Sequence, residues 1–248
     1  MHPEWIVPDW PAPDRVQALC TTRAGGVSRP PYQSLNLGDH VADAPADVAR
    51  NRALLAQAVQ ARPVYLQQVH GNGVLELAGD TADGLAADAC STAAPGVACT
   101  IMVADCLPVL FTDAQGRRVA AAHAGWSGLA GGVLTSAVGA FGASPGPLLA
   151  WLGPCIGPGA FEVGAEVKAA FEAQEAGAGA CFLPAAAPGK WLADLPALAR
   201  RQLAQLGVTQ VYGNDGSDAW CTVRNASRFF SYRRDRVSGR FAALVWLR

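Results

Sequence analysis

Short runs of apolar residues, separated by glycine, proline or aspartate, recur through the middle of the chain. Such runs, bounded by turn-forming residues, are typical of buried β-strands. One similar run precedes this region and three follow it. Together they predict strands over residues 16–22, 64–66, 74–77, 97–104, 109–112, 119–122, 148–152, 208–212 and 241–247.

Helical patterns stand on either side of this strand-rich region. Residues 45–60 are predicted to be helical because Pro45 is tolerated in the first turn of a helix. The segment "DLPALARRQLAQLG" predicts a second helix, with Asp194 as N-cap, Gly207 just beyond the C-terminal end and leucines on one face. The segment "SGLAGGVLTSAVGAF" after Trp126 is interpreted as helical despite its glycines.

These elements predict a mixed α/β (α+β) fold, with layered β-sheets flanked by helices. No internal repeat or linker interrupts the chain, so we expect a single catalytic domain over residues 1–248. The segment 23–40, "RAGGVSRPPYQSLNLGDH", is too long for a tight turn. Long ordered loops are often functional, which makes this segment a candidate part of a site.

Composition excludes several classes of protein. Hydrophobic residues make up 51% of the 248 residues and charged residues 16%, which is too apolar for a disordered chain. The formal net charge of −1 gives no general attraction to nucleic acid or anionic membranes. The uncharged stretch 119–161 contains several glycines and prolines and a histidine, so we interpret it as a soluble core. We expect a monomer that binds neither nucleic acid nor membrane.

The cysteines indicate a reducing compartment. There are seven, an odd number, and no two form a C-x-x-C pair, which is a poor disulfide framework. The first residues lack a basic segment followed by an apolar stretch, so we expect no signal peptide. Both features predict a cytoplasmic protein.

An Asp-Cys pair lies within the apolar stretch "TIMVADCLPVLF". Burying a carboxylate is costly unless it is paired, so Asp105 and Cys106 need an explanation. Of the four histidines, His70 and His123 also lie near the ends of apolar runs. Cysteine thiolate and imidazole are ligands that zinc prefers, and three such ligands leave a coordination position open. The spacing matches no short metal motif, so a buried cysteine with structural histidines stays open as the alternative.

Absent motifs narrow the chemistry further. The chain has no H-E-x-x-H, no H-x-E with P-C-x-x-C and no phosphate-binding G-x-x-x-x-G-K, and "GWSGL" misses the nucleophile-elbow pattern G-x-S-x-G by one position. The C-terminal segment 224–248 carries seven arginines against one acid, Asp235, with aromatic residues between them. It could make the chain a non-enzymatic binder of nucleic acid or phosphate. We favour a solvated strand edge for most of these arginines.

Several motifs together resemble the purine nucleoside phosphorylase YfiH/laccase-domain family, formerly called multicopper polyphenol oxidase or DUF152. They are "TTRAGGVSRPPYQSLNLGDHV", "QQVHGNGV", "ADACST", "VADCLPVLF", "AAAHAGW", "GPCIGPGAFEVG" and "FFSYRRD..SGR", and they cover nearly the whole chain in order. The resemblance implies one zinc ion per chain held by His70, Cys106 and His123, which would be the catalytic centre. It also implies phosphorolysis of adenosine, inosine, guanosine and methylthioadenosine, and deamination of adenosine.

The resemblance also suggests roles for other residues. Arg23 and Arg52 are candidates for holding phosphate near the ribose, and Asn36 for binding the nucleoside. Asp105 either orients a ligand histidine, a common arrangement around metals, or accepts backbone N–H groups. The family commonly reads "HAGWRG", whereas this chain reads "HAGWSG", with Ser127 in place of arginine.

Other functions stay open beside the zinc enzyme. Cys106 as nucleophile and His123 as base would make a metal-free hydrolase, and bacterial members of the family are associated with editing peptidoglycan precursors. We reject a laccase because its several copper sites need many more imidazoles than four histidines supply.

Overall fold

The computed structural model describes residues 2–143 and 146–248, and its strands form three sheets. The helices are α1 (Pro45–Val59), α2 (Trp126–Ala130), α3 (Val133–Gly139), α4 (Ala165–Glu172), α5 (Leu195–Gln205) and α6 (Tyr232–Asp235), with 3₁₀ turns at Ala176–Cys181 and Asp218–Trp220. The strands are β1 (Val16–Cys20), β2 (Arg62–Tyr65), β3 (Val74–Glu76), β4 (Ala89–Thr92), β5 (Val97–Val103), β6 (Leu107–Asp113), β7 (Val119–Ala124), β8 (Leu148–Leu152), β9 (Glu162–Gly164), β10 (Phe182–Pro184), β11 (Lys190–Ala193), β12 (Gln210–Gly213) and β13 (Phe241–Leu247).

Two of the sheets pack face to face and form the centre of the fold. The first has four strands in the order β1-β13-β5-β2, and the second has six in the order β12-β8-β6-β7-β4-β3. A smaller sheet has the order β10-β11-β9. Because successive side chains of a strand point to opposite faces, each large sheet contributes to two different cores.

The three hydrophobic clusters define the layers. Ile101 and Val245 of the first sheet meet Leu110 and Ala121 of the second between the sheets. Alternate residues of the first sheet pack under α1, and alternate residues of the second pack under α2, α3, α4 and α5. All seven residues of β5 are therefore buried, which explains its nearly continuous apolar sequence. The expected mixed α/β (α+β) fold of layered sheets flanked by helices is confirmed.

Most predicted elements are confirmed, with shifts at their ends. The strands at 148–152 and 241–247 have the predicted bounds, and α1 begins at Pro45. Asp194 caps α5 by accepting a hydrogen bond from the Ala197 N–H at 2.9 Å, and Gly207 adopts a left-handed conformation just beyond the helix. The helix predicted after Trp126 is instead two short helices, α2 and α3, since Gly132 at φ +86° breaks it. Strands β4, β9, β10 and β11 were not predicted.

The segment 23–40 forms an ordered loop with neither helix nor strand. Its leucines, Leu35 and Leu37, are fully buried, and Asn51 of α1 donates hydrogen bonds to the Ser34 and Asn36 carbonyls. Over the described residues, no helix combines the length and the apolar character needed to cross a membrane.

Candidate metal centre

The three candidate ligands come from separate elements and meet at one end of the two packed sheets. His70 follows β2, Cys106 lies in the turn between β5 and β6, and His123 is on β7, opposite Pro108. Their ligand atoms all lie within 4.8 Å of one another, and Cys106 Sγ is 3.8 Å from His70 Nε2. The histidine rings meet edge to face, with centroids 4.7 Å apart. The fold therefore brings together the three residues that were predicted from the sequence as candidate metal ligands.

Asp88 is the central partner of this group, and sequence reasoning assigned it no role. Its fully buried carboxylate lies 2.8 Å from His123 Nδ1. It also accepts the backbone N–H groups of Val69, His70 and Gly71 at 3.1, 2.9 and 2.7 Å. Although burial opposes the change, hydrogen bonds from His123 and Gly71 lower the pKa of Asp88. The carboxylate holds a proton on Nδ1 of His123, so Nε2 is the nitrogen that can bind a metal once it has lost its own proton.

Backbone geometry around the ligands is unusual and leaves little space. His70 has φ +60°, a left-handed conformation that residues with a Cβ rarely adopt. The Asp88 carboxylate stabilises it through the N–H groups on either side. A methyl group on Gly125 would lie 3.0 Å from both Cys106 Sγ and His70 Cδ2. Strained, tightly packed backbone of this kind is characteristic of functional sites.

The electrostatics favour a thiolate beside a charged imidazole. Burial opposes ionisation of Cys106, but the charge of His123 and hydrogen bonds from both histidines lower its pKa to about 6. Burial likewise opposes protonation of His123, but the Cys106 thiolate and Asp88 raise the pKa of His123 to about 9. The thiol is thus ready to act as a metal ligand or as a nucleophile at neutral pH.

A thiolate and two imidazoles are a donor set that fits a zinc ion, with a fourth position open. Among residues 2–143 and 146–248, this is the one group of three or more His, Cys, Asp or Glu side chains placed to hold a metal. The three residues could therefore hold one metal ion.

A cavity of about 680 Å³ opens over this centre. Its wall includes the apolar and aromatic residues Ile156, Phe161 and Tyr232. The same cavity is lined by polar residues from the 23–40 loop, α1 and the C-terminal segment, among them His40, Arg52 and Arg240. This volume is in the range of ligand pockets for small molecules.

Arg23 and Asn36, expected to contact substrate, do not line the cavity. Arg23 donates its Nε–H to the Gln33 carbonyl and its Nη1–H to the Ala226 carbonyl, at 2.9 and 2.8 Å. Asn36 is fully buried; its amide donates to the Gly38 carbonyl, and its Oδ1 accepts the backbone N–H of Arg240. These polar groups bond to the backbone of the loop and of the C-terminal segment, and substrate contact by Arg23 and Asn36 stays a prediction.

Arg52, the third predicted substrate contact, does line the cavity. Its Nε donates to the Leu37 carbonyl at 2.9 Å, and its guanidinium lies 4.0 Å above the Tyr65 ring. These contacts hold the guanidinium in place and leave part of it facing the cavity.

Of the two roles considered for Asp105, the hydrogen bonds match backbone binding. Its carboxylate accepts the Thr222 hydroxyl and the Arg233 N–H, each at 2.6 Å, and contacts neither histidine. Asp88 takes the position beside the ligand histidine instead. Ser127, the departure from the family pattern, donates its hydroxyl to the His70 carbonyl at 3.2 Å.

Sequence reasoning also missed cavity residues that are distant along the chain. His40, Arg240 and the aromatic residues Phe161 and Tyr232 lie in quoted motifs, but nothing in the sequence showed that they share a wall. Membership of the motifs "LGDH", "PGAFEVG", "FFSYRRD" and "SGR" was the signal that could have found them.

The chain is similar to known proteins along nearly its whole length. A family model described as "Multi-copper polyphenol oxidoreductase laccase" matches residues 17–248. A purine nucleoside phosphorylase of Pseudomonas aeruginosa is 55% identical, and the purine nucleoside phosphorylase YfiH of Escherichia coli 51% identical; each match covers 98% of both chains. A Neisseria meningitidis crystal structure assigned to DUF152 superposes with a TM-score of 0.93 at 49% identity, covering 98% of this chain and 99% of that one. The chain therefore belongs to the YfiH/laccase-domain family.

Proposed function

We propose that the protein is a zinc-dependent purine nucleoside enzyme, catalysing phosphorolysis of adenosine, inosine, guanosine and methylthioadenosine, and deamination of adenosine. The observation that carries this proposal is the His70–Cys106–His123 group at the wall of a nucleoside-sized cavity. Relatives at 55% and 51% identity that are named purine nucleoside phosphorylases support the substrate class.

The ligand residues would hold the metal while Asp88 orients them. Bound zinc supplies a Lewis acid that acidifies water at neutral pH. The Asp88 carboxylate keeps the proton on His123 Nδ1 and fixes the His70 backbone, so the donor atoms face one another before any metal binds. Phe161 and Tyr232 line the same cavity and would give a purine base aromatic side chains to pack against.

Both reactions balance with substrates of this class. In phosphorolysis, a phosphate oxygen bonds to C1′ of the ribose as the C1′–N9 bond breaks. The bonding electrons leave with the purine, which gains one proton while hydrogen phosphate loses one. In deamination, water adds at C6 of adenosine and ammonia leaves, which gives inosine. The first reaction requires phosphate and the second does not.

A metal-free cysteine hydrolase is the second candidate, and one observation favours it. The lowered pKa of Cys106, its contact with His123 and the Asp88 carboxylate behind that imidazole resemble a nucleophile–base–orienting acid triad. Both candidates make Cys106 and His123 essential. His70 is needed only by the metal site.

His70→Asn separates the two candidates. Asparagine tolerates the left-handed conformation at this position, so the backbone strain that alanine would add is reduced. We expect the purified wild type to carry about one zinc per chain, and His70→Asn to lose both zinc and turnover while its circular dichroism stays native. The matched control is His2→Asn, because His2 does not line the cavity.

The assay incubates metal-quantified protein with each nucleoside, with and without phosphate. Adenine and ribose-1-phosphate should appear only with phosphate, and inosine and ammonia without it. Near-normal turnover by His70→Asn, or activity that survives chelation but not thiol alkylation, would make Cys106 a nucleophile and reject zinc. If folded, zinc-loaded protein consumes no purine nucleoside, the proposed substrate class is wrong, and hydrolysis of peptidoglycan precursors is tested next.

A further inference from the structure

A second polar cluster lines the cavity and includes none of the candidate metal ligands. We call it the basic corner: His40, Arg52 and Arg240, the first two of which lie beside Asp39. One Asp39 carboxylate oxygen lies 3.2 Å from Arg52 Nη2, and the other lies 3.6 Å from His40 Nδ1. A methyl group on Gly38 would touch both Arg240 and His40, at 2.8 and 3.4 Å, so these two side chains meet over that glycine.

The basic corner is built by segments that are far apart in sequence. The Arg240 backbone donates to Asn36 Oδ1 at 2.8 Å, and its carbonyl accepts the Leu37 N–H at 2.9 Å. The neighbouring Leu37 carbonyl accepts Arg52 Nε–H. The motifs "SLNLGDH" and "SGR" and helix α1 therefore meet to place two guanidinium groups in one wall. The buried Asn36 has this structural role, although it does not line the cavity.

The two arginines retain hydrogen-bonding capacity that the described residues do not use. Arg240 donates through Nη1 to the Ser238 and Gly239 carbonyls, and its Nε and Nη2 have no partner among residues 2–143 and 146–248. Arg52 uses Nε on a carbonyl, and Nη2 is only ion-paired. Beneath it, the hydroxyl of Tyr65 is buried without a partner in the same part of the chain.

Charge in the basic corner is unbalanced. Arg52 is ion-paired with the Asp39 carboxylate, whose side chain is 64% exposed and so largely screened by water. Arg240 has no ion pair among the described residues, although the nearby Cys106 and Asp105 favour its charged form. Burial lowers the pKa of Arg240, and burial together with the charge of Arg240 lowers the pKa of His40. Partly desolvated guanidinium groups with free donors are stabilised by an oxyanion, and their planar arrangement of N–H groups matches phosphate.

We propose that the basic corner is the subsite for inorganic phosphate, with Arg52 and Arg240 donating hydrogen bonds to its oxygens. The assignment rests on the proposed function and specifies where the nucleophile of phosphorolysis is held. One cavity then contains a metal centre and an anion site. A nucleoside bound between them has its ribose reached by phosphate from the basic corner. One phosphate oxygen bonds to C1′ as the C1′–N9 bond breaks, and the proton of hydrogen phosphate passes to the departing purine.

Kinetics of charge-removing variants test the assignment. Arg240→Met and Arg52→Met each remove charge-assisted hydrogen bonds to phosphate, so the KM for phosphate should rise about tenfold or more. The KM for the nucleoside should change much less. Arg240→Lys keeps the positive charge but lacks the fork-shaped set of N–H donors, so its KM for phosphate should lie between those of wild type and Arg240→Met. Arg50→Met, on the exposed face of α1 and outside the cavity, is the matched control.

A binding measurement gives a second readout that does not depend on turnover. Inorganic phosphate should raise the Tm of wild type and of Arg50→Met, because a ligand that binds only the folded state stabilises it. The same concentration should raise the Tm of Arg240→Met and Arg52→Met much less. Adenosine 5′-monophosphate is tested in parallel; stabilisation by it but not by inorganic phosphate would overturn the proposal, since the site would then take a phosphate ester.

The outcomes separate this proposal from the proposed function. If wild type, Arg52→Met and Arg240→Met all catalyse nucleoside phosphorolysis with the same KM for phosphate, the basic corner is not the phosphate subsite. The proposed function would then still stand. Phosphate stabilisation that requires Arg240, in protein that consumes no purine nucleoside, would keep the anion site and reject its role in phosphorolysis.

Discussion

Replacing Asp88 by asparagine tests whether one buried carboxylate organises the metal centre. Oδ1 of Asp88 accepts hydrogen bonds from the His70 N–H and His123 Nδ1–H, and Oδ2 accepts those of Val69 and Gly71. Asparagine has the same shape but presents an NH₂ group in place of one oxygen. Whichever way the amide turns, at least one buried N–H donor faces another donor.

The expected cost follows from that count. One or two buried donors left unsatisfied, at roughly 1–3 kcal/mol each, predict that Asp88→Asn lowers the free energy of unfolding by about 1–6 kcal/mol. Loss of the partner behind a ligand histidine should weaken zinc binding about 10–100-fold. Because the folded-state pKa of Asp88 is lowered, its contribution is present above the usual aspartate range and is lost as pH falls through that lowered pKa. Wild type and variant should therefore converge in acid.

Urea denaturation measures the stability change, and competition with a chromogenic chelator measures zinc affinity. Asp113→Asn is the matched control, because Asp113 is also a buried carboxylate but accepts hydrogen bonds from Arg117, away from the cavity. It should destabilise the protein without changing zinc affinity. Unfolding free energy within 0.5 kcal/mol of wild type, roughly the effect of a neutral surface change, together with unchanged zinc affinity would refute the role given to Asp88.

Two further predictions concern Cys106 and its neighbours. The pKa of Cys106 is lowered to about 6 from an ordinary 9.0, so iodoacetamide should alkylate this residue in metal-free protein at a rate that falls below about pH 6 and is constant above about pH 7. Mass spectrometry locates the adduct, and an alkylation rate that keeps rising to pH 9 contradicts the lowered pKa. Gly125→Ala places a methyl group 3.0 Å from Cys106 Sγ and His70 Cδ2, so zinc affinity should fall while circular dichroism stays native, and unchanged affinity would show that the ligands can move apart.

The sequence predicted best those elements whose whole environment is apolar. Strand β5 is buried on both faces, so each of its positions carries the signal. Strand β4 is just as buried, but "ACST" consists of small residues, two of which carry hydroxyl groups. The sequence therefore shows no run of large apolar residues that would predict a buried strand there. Strands β9, β10 and β11 form a separate small sheet with exposed charged positions such as Glu162 and Lys190, which resemble loop residues.

The candidate site shows why ligands were easier to find than their supports. His70, Cys106 and His123 could be selected as candidate ligands because thiolate and imidazole are ligands that zinc prefers. Asp105 and Asp88 have the same sequence signal, an acidic residue within an apolar stretch. Only the strand pairing shows which of the two lies beside a candidate ligand histidine. Strand β4 pairs with β7 so that Ala89 lies opposite Ala122, which brings Asp88 beside His123. No feature of the sequence alone specifies that register.

Hydrogen bonds that involve no metal hold the three ligands in place, and this has a consequence for folding. His123 belongs to a central strand and is fixed by Asp88. The Cys106 turn is held by the Asp105 carboxylate, and the carbonyl of Asp105 accepts the Ile156 N–H at 2.8 Å. In small zinc domains the metal organises the chain, which unfolds without it. Here the two packed sheets organise the chain instead of the metal. We therefore expect chelated protein to keep its native circular dichroism and slow hydrogen exchange at the His70 amide. Unfolding on chelation would show that the metal, and not Asp88, holds the site together.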